Sequence, residues 1–241
     1  MTIELRVDGT VARIEPEVLV VVGYTGADEA AVRHHIDELA AEGVAPPPRV
    51  PMYWAMPASG LTQRAVMEAP SPATSGEIEL ALVVDGPEVF LAAGSDHTCR
   101  EAEAIDIRLS KLICPTPLSS EAWPWSSVAE RWVDLELASV VTIEGASQPY
   151  QRATAGVNRP PQELLEGIPW PGDRPQSFVV LCGTVPAIGG IRPADRFTGS
   201  ITDPATGRTI ALDYEVRPVR PLATEAPDDP EPGGPSNTNP R

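Results

Sequence analysis

Two glutamates one residue apart, Glu77 and Glu79, stand in an otherwise apolar run formed by Ile78 and Leu80-Ala81-Leu82-Val83-Val84. Alternate side chains of a strand share a face, so both carboxylates point one way and Ile78 the other. Adjacent like charges repel, and a hard divalent cation such as Mg²⁺ or Mn²⁺, which takes oxygen ligands, would compensate them. The turn-forming Asp85-Gly86-Pro87-Glu88 then folds the following apolar segment, beginning at Val89, back antiparallel and brings Asp96 near the pair. Three carboxylates on two adjacent strands suffice for an open metal site of the catalytic kind. The same spacing also describes two glutamates on the solvent face of an edge strand, and alone it favours that plainer reading.

A second constellation could move protons. His35 and Glu38 are three apart in a stretch read as a helix over 28–41, so they are neighbours on one face. A carboxylate beside an imidazole orients it and raises its basicity, which suits a general base for water. A solvated pair on a helix surface has the same spacing and is the commoner case. His34 points elsewhere and receives no role. Cys99, just past Asp96, has no base beside it in sequence and reads as packed.

Several elements must position these groups. Residues 3–7 and 11–14, joined by Asp8-Gly9-Thr10, read as a hairpin. The β-branched run Val18-Leu19-Val20-Val21-Val22 reads as a buried strand ending at Gly23. After the loop Gly23-Tyr24-Thr25-Gly26 comes the helix, with Asp28 as its cap, an apolar face of Val32, Ile36, Leu39 and Ala40, and Gly43 as its stop. A stiff Pro46-Pro47-Pro48 connector leads to an aromatic strand over 52–56. Residues 101–111 begin as helix, and 132–141 read as a strand. The Gly-, Pro- and Gln-rich stretch 144–175 reads as a long loop of the lid or dimer-contact kind, with a short helix at 161–166. Strands at 177–183, 195–202 and 209–216 complete the sheet.

Composition sets limits. A chain of 241 residues with 42% hydrophobic content can bury a full core in one domain. A formal charge of −16 argues against nucleic-acid binding. No apolar run reaches the length of a membrane span, and no basic start followed by an apolar block suggests a secretion signal. The three cysteines, with no C-x-x-C, fit a reduced cytoplasmic protein. The 28 prolines favour turns over long helices.

The order of these features resembles the fumarylacetoacetate hydrolase superfamily, whose members read roughly N-Y-x-x-H-x-x-E, then E-x-E, then N-D-V-(S/T)-x-R. The matching segments are Gly23-Tyr24-Thr25-Gly26, His35 with Glu38, Glu77 with Glu79, and Gly94-Ser95-Asp96-His97-Thr98. The likeness runs from about residue 18 to 214 and is closest to an uncharacterised bacterial branch with a G-S-D-H-T signature. It implies an α+β, mostly β fold: a mixed β-sandwich or roll with one main N-terminal helix. The implied division is a hairpin at 1–17, a catalytic domain at 18–220 and a disordered Pro- and Asp-rich tail at 221–241.

The resemblance also implies roles. Glu77, Glu79 and Asp96 would bind Mg²⁺ or Mn²⁺, while His35, Glu38 and Lys111 would be catalytic. Tyr24, Gly183, Thr184 and His97 would contact a keto acid or 1,3-dicarbonyl, and the chain would form a homodimer. Lys111 could equally be a surface lysine. Ser95 stands where relatives carry Asn, His97 where they carry an apolar residue, and Ala194-Asp195 where they carry Gly-Asp. The implied reaction is hydrolysis of a C–C bond in an acylpyruvate-like substrate, with the cation stabilising the enolate and the His35 helix closing over the site. Decarboxylation, hydration or Dieckmann-type cyclisation could use the same groups. A non-catalytic small-molecule binder is the remaining alternative.

Overall fold

In the computed structural model, which describes residues 1–41 and 46–220, two sheets sandwich a common core. The chain begins with β1 (Ile3–Val7) and β2 (Thr10–Ile14), the expected hairpin, then β3 (Val18–Gly23). Helix α1 (Glu29–Ala41) follows, and Asp28 caps it by accepting from the backbone N–H groups of Ala30 and Ala31 at 2.9 and 3.1 Å. The aromatic strand is β4 (Met52–Pro57), followed by β5 (Leu61–Thr62), β6 (Val66–Ala69) and β7 (Thr74–Ser75). The acidic hairpin is β8 (Ile78–Asp85) and β9 (Glu88–Ser95), after which come β10 (Thr98–Cys99), α2 (Arg100–Glu103) and α3 (Ile107–Leu112). The rest comprises β11 (Thr116–Pro124), β12 (Glu136–Ile143), β13 (Ala146–Thr154), α4 (Pro161–Glu166), β14 (Ser177–Thr184), β15 (Arg196–Asp203) and β16 (Arg208–Pro218).

The larger sheet runs β2-β1-β11-β9-β8-β14-β3-β4, with β5 alongside β11, and the smaller runs β13-β12-β15-β16-β6. Parallel pairs (β14 with β3, β1 with β11, β16 with β6) mix with antiparallel ones. This is the mixed, mostly β, α+β architecture expected.

Strands β8 and β14 sit mid-sheet and are buried on both faces, which explains their nearly continuous apolar runs. Ile78, Leu80, Leu82 and Val84 join Phe178 and Val180 in the core between the sheets. Ala81, Val83, Val179 and Leu181 pack with Leu19, Leu5 and Ile3 on the other face. Each such fully buried large side chain contributes about 1.5–3 kcal/mol. The alternation leaves Glu79 on the same side as Ala81 and Val83, opposite the main core.

Two expectations are corrected. Residues 132–134 lie in a 3₁₀ segment, Ala129–Asp134, and the strand begins only at Glu136. Leu135 N–H closes that turn on the Trp132 carbonyl, while Arg131 is held by the buried Asp203. The stretch 144–175 is not one long loop, because 146–154 forms β13, an edge strand paired along β12. The helix within it, at 161–166, is present. Among the described residues no helix is long and apolar enough to cross a membrane. The stop at Gly43 and the tail at 221–241 lie outside the described residues.

Candidate active site

The β8–β9 register pairs Ile78 with Ser95 and Glu79 with Gly94. Asp96, one residue past the ladder, donates its N–H to the Glu77 carbonyl at 3.1 Å. All three acids line one cavity of about 620 Å³, within the range of small-molecule sites. Its walls come from the loop after β3, the first turns of α1, Trp54 of β4, α2, α3 and the segment after β14.

The acids are tethered by cations and backbone. Lys111, from α3, donates its Nζ to Asp96 Oδ2 and lies 3.5 Å from Thr98 Oγ1. Arg100 opens α2, donating from Nε to Ser75 Oγ and from Nη1 to Glu103, both at 2.7 Å. Its Nη2 is 3.5 Å from Glu77 Oε2. Gly183 N–H donates to Glu79 Oε2 at 2.7 Å. Gly183 has φ +94, and a Cβ there would lie 1.8 Å from Thr25 Oγ1, so glycine is needed for this approach.

Burial dominates the electrostatics. Glu79 is 2% exposed, and its pKa is held well above the usual carboxylate range by burial first and Asp96 second, against the Gly183 hydrogen bond. Burial also raises Glu77; Arg100 opposes this and the charge of Asp96 adds to it. For Lys111, burial works against the ammonium, but Asp96 and then Glu77 more than offset it and its pKa is raised. Lys111 is therefore a charged group inside the site and not a surface lysine.

The donor set suits a hard divalent cation. Three carboxylates face one cavity, with Lys111 and Arg100 as their nearby cations, and two of the acids, Glu77 and Glu79, are destabilised as anions by burial and by the charge of Asp96. As placed, among the described residues, no three Asp, Glu, His or Cys side chains are grouped to hold an ion. In this arrangement Asp96 is engaged by Lys111, and the Arg100 guanidinium stands beside Glu77. The chemistry of the donors fits the ion, and the side chains must adjust to take it.

The expected substrate contacts divide. Tyr24, at positive φ of 57°, lines the cavity, as do Gly183 and Thr184. His97 is corrected: it is 1% exposed, lies outside the cavity lining, and its Nδ1 meets Tyr214 Oη at 3.0 Å. Successive side chains alternate, so when Asp96 faces the cavity its neighbour turns into the core. There burial, helped by Arg100, lowers the imidazole pKa to about 3. Tyr214 Oη also meets Ser95 Oγ at 2.9 Å, which pins both neighbours of Asp96 to the smaller sheet. A Cβ at Gly76 would fall 2.2 Å from that hydroxyl, so Gly76 permits this crossing. The His35 and Glu38 side chains lie outside the described residues. Asp28, Ala31 and Val32 of the same region line the cavity, and position 35 follows Ala31 by one helical turn.

Four residues with a part in the site were missed in the sequence. Arg100 and Glu103 line the cavity, and Arg100 was findable, since it occupies the final position of the motif Asp96-His97-Thr98-Cys99-Arg100. Asn158 accepts from Thr25 Oγ1 at 2.8 Å and donates to the Thr184 carbonyl at 2.9 Å. Gln151 ties Ile78 to Thr184 and Val185. Nothing in the sequence marked these two amides.

A family model described as "Protein of unknown function (DUF2848)" matches residues 22–214. Among curated proteins no relative matches the sequence. The structure resembles Cg1458 crystallised with an inhibitor: 20% identity and TM-score 0.62, covering 87% of this chain and 81% of that one. It also resembles 2-keto-3-deoxy-D-arabinonate dehydratase complexed with magnesium and 2,5-dioxopentanoate: 15% identity and TM-score 0.60, covering 88% and 77%. The fold is the α+β, fumarylacetoacetate hydrolase-like one expected. At such identities the likeness is one of fold.

Proposed function

From the premise that the chain belongs to the family described as protein of unknown function (DUF2848), and has a fumarylacetoacetate hydrolase-like fold, we propose a divalent-metal-dependent enzyme acting on a small keto acid or 1,3-dicarbonyl. Its reaction is hydrolytic cleavage of the C–C bond between two carbonyl groups, as in an acylpyruvate. The observation that carries this reading is that Glu77, Glu79, Asp96 and Lys111 line one cavity.

Glu77, Glu79 and Asp96 would hold Mg²⁺ or Mn²⁺, which when bound supplies a Lewis acid that polarises carbonyl oxygens. Gly183 N–H keeps the Glu79 carboxylate oriented, and Tyr24, Gly183 and Thr184 face the substrate. His35, paired with Glu38, takes a proton from water as the water oxygen attacks the carbonyl carbon of the leaving acyl group. The C–C bond breaks, its electron pair goes to the carbon beside the other carbonyl, and the imidazolium returns the proton there. Lys111, held charged by its acidic neighbours, neutralises negative charge gathering on oxygen. The working unit is a homodimer.

A second reading, dehydration of a keto acid, draws on the dehydratase named among the solved neighbours, which is complexed with magnesium and a dioxo acid. It uses the same acids and Lys111 but needs no water-activating pair. The test is Mg²⁺-dependent loss of ultraviolet absorbance across an acylpyruvate panel, comparing wild type with His35→Ala and Glu79→Ala. Hydrolysis predicts two acids as products and a rate loss of roughly 10²-fold or more in His35→Ala. Turnover unaffected by His35→Ala would favour dehydration, and release of CO₂ without a second acid would favour decarboxylation. Tight ligand retention without turnover of any 1,3-dicarbonyl would make the protein a binder.

A further inference from the structure

The charged groups of the cavity are not spread evenly around it. Glu77, Glu79, Asp96, Arg100, Glu103 and Lys111 all come from the segment 77–111, where Arg100 pairs with Glu77 and Glu103, and Lys111 with Asp96. Much of the remaining wall is apolar: Val32 of α1, Val157 after β13, and Pro186, Ala187 and Ile191 after β14. The first two of these pieces meet, since Ala27 N–H donates to the Val157 carbonyl at 2.9 Å and a Cβ on Gly26 would lie 2.7 Å from Val32. Among the described lining residues, the charged group on this side is Asp28, another acid.

Of the cations near this wall in sequence, Arg33, next to Val32, is exposed and is not among the lining residues, and two others are directed elsewhere. Arg192, next to Ile191, donates to the carbonyls of Ile188, Gly190 and Pro149 and lies over the Tyr150 ring at 5.0 Å. Arg159, two residues from Val157, pairs with Glu163 and Glu29. Among the described residues lining the cavity, Arg100 and Lys111 are the cations, and both are committed to site acids.

We infer that the substrate carries a single carboxylate or dicarbonyl head and an uncharged, apolar tail, with the tail lying against Val32, Val157 and Ile191. The inference rests on the proposed metal site, which fixes the head among the acids. A second carboxylate at the far end would meet Asp28 and an apolar surface, with no uncommitted cation among the described lining residues to replace its lost water. An alkyl or aryl tail gains the transfer free energy of every methylene placed there. Val157 and Ile191 are 41% and 51% exposed, which is expected of a wall that a ligand covers.

The test uses calorimetric binding to the full chain with Mg²⁺. Two probes have equal carbon number: 2-oxohexanoate, ending in a methyl, and 2-oxohexanedioate, ending in a carboxylate. Oxalate, which has no tail, reports the head site alone. The expected result is that oxalate binds and that the monoacid binds about 10- to 100-fold tighter than the diacid. Val157→Lys should narrow that ratio by about tenfold or more by providing the missing cation. Ile191→Lys, on a separate loop, repeats the test if the first variant does not fold. Oxalate binding with equal or tighter binding of the diacid would overturn the tail inference and leave the metal site standing. A Lys variant that folds and keeps the full ratio would overturn it too. Failure of all three probes to bind would overturn the metal reading, and this inference with it.

Discussion

Replacing Gln151 with methionine would remove four hydrogen bonds from behind the acidic pair. The side chain is 1% exposed, and each polar atom serves twice. Its Oε1 accepts from Ile78 N–H and from Ser139 Oγ, both at 2.9 Å. Its Nε2 donates to Thr184 Oγ1 at 2.9 Å and to the Val185 carbonyl at 2.6 Å. The Thr184 hydroxyl keeps its bond to the Ile78 carbonyl and the Ser139 hydroxyl can rotate, so the loss falls mainly on Ile78 N–H and Val185 C=O. Two buried groups left unpaired, at about 1–3 kcal/mol each, give a loss of roughly 2–6 kcal/mol. In a chain of this size that lowers the Tm by roughly 5–20 °C. Ile78 lies between Glu77 and Glu79, so the Tm rise produced by adding Mg²⁺ should shrink as well. Methionine fills nearly the same volume, which separates lost hydrogen bonds from a cavity. A Gln151→Met protein melting within about 3 °C of wild type would refute the assignment of Gln151 as the anchor of this strand.

Gly183→Ala sets a Cβ against Thr25 at a backbone angle that favours glycine, and should cost more than about 1 kcal/mol in chemical denaturation while weakening Mg²⁺ binding through Glu79. Asp203 is buried, and its hydrogen-bonded ion pair with Arg131, aided by Thr206 and Ala205 N–H, holds its carboxyl well below the usual carboxylate range. Because the folded value is depressed, this stability is present above the ordinary value of 3.8 and fades as pH falls from there toward the lower folded value. Asp203→Asn should therefore lower the Tm at pH 7 and flatten its fall between about pH 4 and pH 2; an unchanged acid limb would count against the ion pair. All three cysteines are buried, and burial pushes the Cys114 thiol up to about 12 and Cys182 in the same direction. A thiol reagent at pH 8 should label none of them before denaturant is added, as mass spectrometry of the intact protein would show.

What could be read in advance was local. The β8–β9 hairpin followed from turn chemistry at 85–88 and a period of two, and α1 from the Asp28 cap. Strand β13 was hidden because it is a polar edge strand. Its Pro149 sits where the β12–β13 register shifts between Ser139 and Val140, a place where an edge tolerates proline. The period of two also put Glu77 and Glu79 on one face and, by the same rule, turned His97 away once Asp96 faced the cavity. It could not say which face would be lined by polar partners. That is settled by contacts between distant segments: Tyr214 reaching Ser95 across 119 positions, Glu79 taking the Gly183 N–H across 104, and Thr25 bonding Asn158 across 133. Each is a single hydrogen bond or buried amide, too small to impose a pattern on composition or periodicity. Spacing can therefore nominate the acids, but the tertiary bonds around Gly183, Gln151 and Tyr214 are what make a carboxylate as buried as Glu79 tolerable and aim it at the cavity.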